Sequence, residues 1–350
     1  MSRITHSPRA ADPAPRLNRP ARPRPLGPAL VSGLLLLAWL LAACAPAASV
    51  TPTPAALQKI RLPLGYIPSV QFASLYVAVD QGYFADEGLE VEFDYSFETN
   101  GVQLVGVNQL PFAVVSGEQV LLARAQGLPV VYVMAWFQKF PVAVVSKAAA
   151  GITAPADLRG RRIGVPTLDG ANFIGLRALM AAAGLTPADV TIEAIGFNQV
   201  EALAADRVDA VVVYTNNEPI RLAAQGEALN VIPVSDYADL AANGLLTNET
   251  TLAQNPDLVR RFVRAMTRGV ETALADPAGA YTITEKFVDG LAEAAVERQV
   301  LDATLDLWRA ERLGLTNAQA WETMQTTLLD AGLLTAPLAL DQAYTNAFVP

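Results

Sequence analysis

The chain has 350 residues with 25 basic and 34 acidic side chains, a formal net charge of −9, one cysteine and one histidine. That acidity argues against nucleic acid as a partner. A single thiol excludes a disulfide scaffold, and one imidazole leaves little for metal ligation or triad chemistry.

From Arg3 to Arg24 six arginines stand with a single acid, Asp12, among prolines that rule out stable structure. This is a basic n-region. Residues 29–43 then run without a charge through Leu34-Leu35-Leu36-Leu37, the length of a secretory h-region and short of the ~20 apolar residues of a permanent span. Leu41-Ala42-Ala43-Cys44 resembles the bacterial lipobox, which makes 1–43 a signal peptide and Cys44 the lipidated residue, with an uncleaved anchor as the alternative. The expected location is the extracytoplasmic side of the cell membrane. Residues 44–57, rich in Pro, Ala and Thr, read as a flexible tether.

Beyond residue 43 remain 307 residues with 19 basic and 33 acidic side chains, a net charge of −14. At ~100–200 residues per domain, that length suggests two domains. The one histidine, His6, leaves with the signal, so no Ser-His-Asp triad, Cys-His pair or His-ligated metal can form. No enzyme activity, catalytic residue, metal or cofactor is expected.

Ile60 to Tyr66 reads as a first strand, and 70–79 as a helix with Phe72, Leu75, Tyr76 and Val79 at helical spacing, closed by Gly82-Tyr83-Phe84. Leu89 to Phe93 alternates, and 111–115 is a continuous apolar strand of the kind a parallel sheet buries. A helix from Ser116 to near Gly127 follows, then strands at 130–134 and 142–145. After a crossover near Ser146 a fresh unit begins: strand 163–165, helix 173–183, strand 190–195, helix 200–205, strand 210–214, helix 219–225 and strand 231–233. This alternation is that of an α/β protein. Residues 254–349 carry an almost wholly helical pattern, opened by an N-cap at Asn255-Pro256-Asp257, with Arg260, Arg261, Arg264 and Arg268 on a solvated face. The simplest arrangement folds these helices back on the first unit, so that 58–145 and 241–350 make lobe 1 and 146–240 lobe 2.

Three segments carry a family resemblance. Gly65-Tyr66-Ile67-Pro68-Ser69-Val70-Gln71-Phe72 with Gln81-Gly82-Tyr83-Phe84 and Glu87-Gly88-Leu89-Glu90-Val91 resembles the opening of solute-binding proteins of the thiamine-pyrimidine and sulfonate group. Asp157-Leu158-Arg159-Gly160-Arg161-Arg162-Ile163-Gly164-Val165 resembles the start of their second lobe, and Asp209-Ala210-Val211 to Glu218-Pro219 their distal strand and turn. The resemblance covers about residues 58–330. It implies a two-lobed periplasmic-binding-protein-like fold of type II, each lobe a mixed sheet flanked by helices. It also implies a monomer that captures a small solute and hands it to an ABC transporter permease.

In such folds ligands meet the loops at the carboxyl ends of strands, in the crevice between lobes. The first lobe then offers Tyr66, Gln71 and Phe72, with Phe72 as readily a core residue; Ser116 and Glu118, Ser116 as readily an N-cap; and Trp136 and Gln138, with Phe137 pointing away. From the second lobe come Asp169 and Asn172 on a strand-to-helix turn, and Tyr214, Asn216, Asn217 and Glu218, a dense polar group for an ordinary connection. No arginine or lysine stands in these loops, which suits a neutral planar heterocycle better than an anion. Within the resembling family riboflavin fits this description, with a formylaminopyrimidine precursor of thiamine as the alternative. A pyrimidine synthase is the remaining relative; it depends on an active-site histidine and a cysteine-rich iron motif, and this sequence has neither. Trp136→Ala and Tyr214→Ala are expected to weaken binding with the fold intact.

Overall fold

The computed structural model describes residues 56–291 and 294–350. The expected signal at 1–43, His6, Cys44 and the tether as far as residue 55 lie outside the described residues. Among those described, no helix is long and apolar enough to cross a membrane.

The chain runs through β1 (Gln58–Gly65), β2 (Leu89–Phe97), β3 (Ala113–Val115) and β4 (Val130–Ala135). It continues through β5 (Val142–Lys147), β6 (Arg162–Val165), β7 (Thr191–Ala194), β8 (Ala210–Tyr214) and β9 (Leu229–Pro233), and returns as β10 (Gly244–Asn248). β1 and β2 pair in parallel, and β10 lies antiparallel between β3 and β4. β1 packs alongside β3, so these five strands form one wall of the molecule. The other five form a mixed sheet in the order β7-β6-β8-β5-β9. Its central strands are apolar at nearly every position because helices cover both faces.

The helix Pro256–Ala275 shows why the first half holds together. Asn255 caps it by accepting the Leu258 N–H at 3.2 Å, and Pro256 sits in the first turn, where no N–H is needed. Leu258, Val259, Phe262, Val263, Met266 and Val270 then recur at helical spacing and are buried against the helix Ala73–Asp80. Each such side chain, fully removed from water, contributes roughly 1.5–3 kcal/mol before entropy is counted. The two helices approach so closely that a Cβ at Gly269 would collide with the Ser74 carbonyl.

Several elements differ from the sequence expectation. β5 belongs wholly to the five-stranded sheet, so the chain enters that sheet at Val142 and not near Ser146. Val142 to Val145, assigned above to the first lobe, pair with Tyr214 to Val211 of β8. The helix Glu98–Gly106 and the strand β10 have no counterpart in the sequence reading. Thr99, Asn100 and Gly101 are weak helix formers, and only burial of Val102 and Val105 against β1 and β3 holds that helix. The helical pattern ends at Asp330; Gly332 and Pro337 break it, and Tyr344 bridges to Tyr132 of β4. The arginines of the long helix are not simply solvated. Arg261 and Arg264 bind Glu87, and Arg268 pairs with Asp86 and covers the Tyr83 ring, clamping the turn before β2. The helix Ala318–Asp330 packs on Gly117–Ala125 and on Gly170–Ala182, so one apolar core runs from the first sheet into the second.

Candidate functional site

The carboxyl ends of β1, β2 and β4 face those of β6, β7 and β8 across a cavity of about 310 Å³. This is the crevice that open α/β sheets use for ligands, and its size is at the small end of the ~300–1,000 Å³ of small-molecule sites.

One wall is aromatic and continuous with the core. The Phe72 and Trp136 rings lie parallel at 4° with centroids 5.7 Å apart, and Trp136 stacks on Phe137 at 4.7 Å. The indole N–H of Trp136 donates to Ser74 Oγ at 3.0 Å, so this residue, only 3% exposed, offers ring surface and no donor to the cavity. Ser69 caps the short turn Val70–Phe72 through the Gln71 N–H at 3.2 Å, which sets Gln71 and Phe72 on the cavity.

The opposite wall is a polar turn. Glu218 accepts the Tyr214 N–H at 3.0 Å and Asn217 Nδ2 at 2.9 Å, while Asn217 Oδ1 accepts Arg221 Nε at 2.7 Å. Arg221 in turn forms a two-pronged pair with Glu297 at 2.8 and 3.1 Å. Burial pushes the Glu218 carboxyl up, with these donors and Arg221 acting against the rise. Burial also pushes the phenols of Tyr66 and Tyr214 up, so both are neutral hydrogen-bonding groups. Two bonds cross the cleft: Asn217 Nδ2 donates to Tyr66 Oη at 3.3 Å, and Tyr214 Oη donates to Asn243 Oδ1 at 3.2 Å. At the mouth, Phe97 from β2 and Phe197 from the loop after β7 stack at 6.0 Å, although they are 55% and 39% exposed.

Of the residues singled out from sequence, the cavity is lined by Tyr66, Gln71, Phe72, Trp136, Asp169, Asn172, Tyr214, Asn217 and Glu218. Four stand apart from it. Ser116 and Glu118 lie one layer behind, bonded to each other and to Glu98. Gln138 turns back to donate to the Ala135 carbonyl at 2.9 Å, because its backbone is held by Leu307. Asn216 is buried and donates to Thr304 Oγ1 at 2.7 Å, which fastens β8 to the helix Ala294–Trp308. Phe137, expected to point away, lines the cavity because it stacks with Trp136. Glu98, Phe97, Phe197 and Asn243 were not expected. Glu98 and Asn243 sit on the unrecognised helix and beside the unrecognised strand, whereas Phe97 and Phe197, as aromatics at strand ends, carried a legible signal. Among the described residues, neither lysine nor arginine lines the cavity, and no cluster of three metal-ligating side chains occurs.

Residues 69–280 match the family described as NMT1/THI5 like. The chain belongs to this family. It is 42% identical over 342 residues to the riboflavin-binding protein RibY of Chloroflexus aurantiacus, covering 92% of this chain and 97% of that one. It is 27% identical to the formylaminopyrimidine-binding protein of Halalkalibacterium halodurans, over 90% and 98% of the two chains. In fold it is similar to the alkanesulfonate-binding protein SsuA of Xanthomonas axonopodis, with a TM-score of 0.66 at 18% identity over 82% of this chain and 98% of that one. The fold is that of periplasmic binding proteins, and the chain is a solute-binding protein, not an enzyme.

Proposed function

We propose that this protein is the solute-binding lipoprotein of an ABC importer, and that it captures riboflavin at the outer face of the membrane for delivery to the permease. The observation that carries the solute class is the cleft itself, with aromatic rings on one wall, amides and neutral phenols on the other, and no cation among its lining residues. A sulfonate or phosphate requires charge-assisted donors, which such a cleft does not supply. A flat ring stacks on apolar aromatic surface and meets amides at its edge. The relative named for riboflavin, at 42% identity over nearly the whole chain, favours a flavin over a smaller pyrimidine. The acylated residue in this reading is Cys44, at the head of the tether 44–57, with lobes on either side of the cleft and a monomeric working form.

Thermal shift separates the candidates. At 100-fold excess over its dissociation constant, a true ligand stabilises the protein by roughly 2.7 kcal/mol. Riboflavin is expected to do so and to lose fluorescence on stacking in the cleft. A response to formylaminopyrimidine without one to riboflavin overturns the assignment.

A further inference from the structure

Glu98, on the cavity, and Glu118, one layer behind it, share one hydroxyl. Ser116 Oγ lies 2.6 Å from Glu98 Oε2 and also touches Glu118 Oε1. A serine hydroxyl has a single proton to donate, so it donates in one of these contacts and accepts in the other. One of the two carboxyls must therefore carry a proton.

The surrounding donors decide which. Glu98 Oε2 also accepts the Ser116 N–H at 3.1 Å, and Glu98 Oε1 accepts Asn243 Nδ2 at 3.3 Å. Glu98 opens the helix Glu98–Gly106, whose terminal dipole favours negative charge, and it is the less buried member of the pair. Glu118 is fully buried, and its Oε2 has no partner. The charge rests on Glu98 and the proton on Glu118. Burial holds both carboxyls above the usual carboxylate range, and the neighbouring Glu98 pushes Glu118 up further. The titratable groups facing the pair are Asp169, across the cleft before the helix Gly170–Ala182, and Tyr214 of β8; neither supplies positive charge.

We propose that Glu98 is the specificity-determining acceptor of the cleft, held ionised by the proton that Glu118 keeps against Ser116, and that it selects a ring N–H beside a carbonyl. Building on the solute-binding reading above, this assigns the imide edge of the flavin to Glu98 and Asn243. Asn243 uses one amide proton on Glu98, and its second is a donor next to the carboxylate, the complement of an N–H beside C=O. The same uncompensated charge repels anionic ligands, which sets this cleft apart from a sulfonate binder. Gly65 makes the arrangement possible: at φ +79° a Cβ there would collide with Glu98 Cγ.

Binding uses the pair with its single proton in place; loss of the Glu118 proton at higher pH sets two unscreened charges against one ligand edge and leaves Ser116 between two acceptors, so binding weakens as pH rises above neutrality. The test uses the full-length chain in detergent, titrated with riboflavin and N3-methylriboflavin from pH 6 to 9, in wild type, Glu98→Gln and Glu118→Gln. Wild type is expected to prefer riboflavin by about tenfold or more and to lose affinity severalfold between pH 7 and 9. Glu98→Gln should bind riboflavin about tenfold or more weaker and discriminate the two flavins by less than about threefold. Glu118→Gln should flatten the pH profile. Infrared spectra of ligand-free protein should show a protonated carboxyl at pH 7 that Glu118→Gln removes. Undiminished discrimination in Glu98→Gln, an unchanged pH profile in Glu118→Gln, or no protonated carboxyl in wild type overturns the proposal. Wild type that ignores both flavins overturns the solute assignment and the imide contact with it, while the infrared band still decides the shared proton.

Discussion

The two walls of the cleft are built from different material. Phe72, Trp136 and Phe137 belong to the same apolar cluster as the helix Pro256–Ala275, and the one polar atom among their side chains is already bonded inward to Ser74. Tyr214, Asn217 and Glu218 stand on a short turn held by hydrogen bonds, which run back to Arg221 and Glu297 and across the cleft to Tyr66 and Asn243. One wall therefore cannot change without changing the fold, whereas the other can change within its own network. Stability and affinity should separate along that line.

The largest effect belongs to the first wall. Trp136→Ala empties a packed aromatic site and is expected to cost about 3–5 kcal/mol of stability in urea unfolding as well as affinity. The sequence expectation is a variant with its fold intact; a stability loss is expected beside the affinity loss because this indole is 3% exposed, stacked on Phe72 and Phe137 and packed at a tilt on Trp308. An unchanged unfolding midpoint would break the comparison. On the second wall, Glu218→Ala leaves the Tyr214 N–H and the Asn217 amide without their acceptor, for a loss of about 1–3 kcal/mol. Its binding loss, read by titration calorimetry, should exceed its stability loss.

A third effect depends on pH. Burial, and after it the neighbouring Glu98, hold the Glu118 carboxyl well above the usual carboxylate range in the folded protein. Its stabilising contribution is therefore fully present below the ordinary value and is lost as pH rises through the folded one. Glu118→Gln, which keeps a neutral donor toward Ser116, should be more stable than wild type by at least about 1 kcal/mol at pH 9, with the gap closing toward pH 5. Equal unfolding midpoints at both pH values would contradict the buried neutral acid. The smallest stability effect is expected at the mouth. Phe197→Ala removes a ring that is 39% exposed and should change stability by less than about 0.5 kcal/mol. Ligand should nevertheless leave faster in stopped-flow experiments, because the Phe97–Phe197 and Tyr66–Phe197 contacts close the mouth.

Much of this was legible in the chain. Strands such as Ala210–Tyr214, apolar at almost every position, and the capped amphipathic helix after Asn255 announce themselves, because burial of their apolar positions is what makes them form. The loops leaving such strands pointed to Trp136, Asp169 and the turn from Tyr214 to Glu218. Glu98 stayed hidden because the helix it opens has poor local propensity and is held by tertiary packing alone. Asn243 stayed hidden because β10 pairs with strands more than a hundred residues earlier. Gln138 and Asn216 looked like ligand contacts by type and place, but each was claimed by a nearby backbone or helix. Composition marks where polar groups gather, and only the fold decides which of them are already satisfied.

The most direct measurement is a fluorescence titration of riboflavin against the purified full-length protein at neutral pH, with an alkanesulfonate and formylaminopyrimidine as competitors. Saturable quenching at one site per chain, undisturbed by the sulfonate and displaced weakly or not at all by the pyrimidine, is the predicted result. No quenching, or ready displacement by the sulfonate, would contradict a cation-free cleft built for a flat neutral ring.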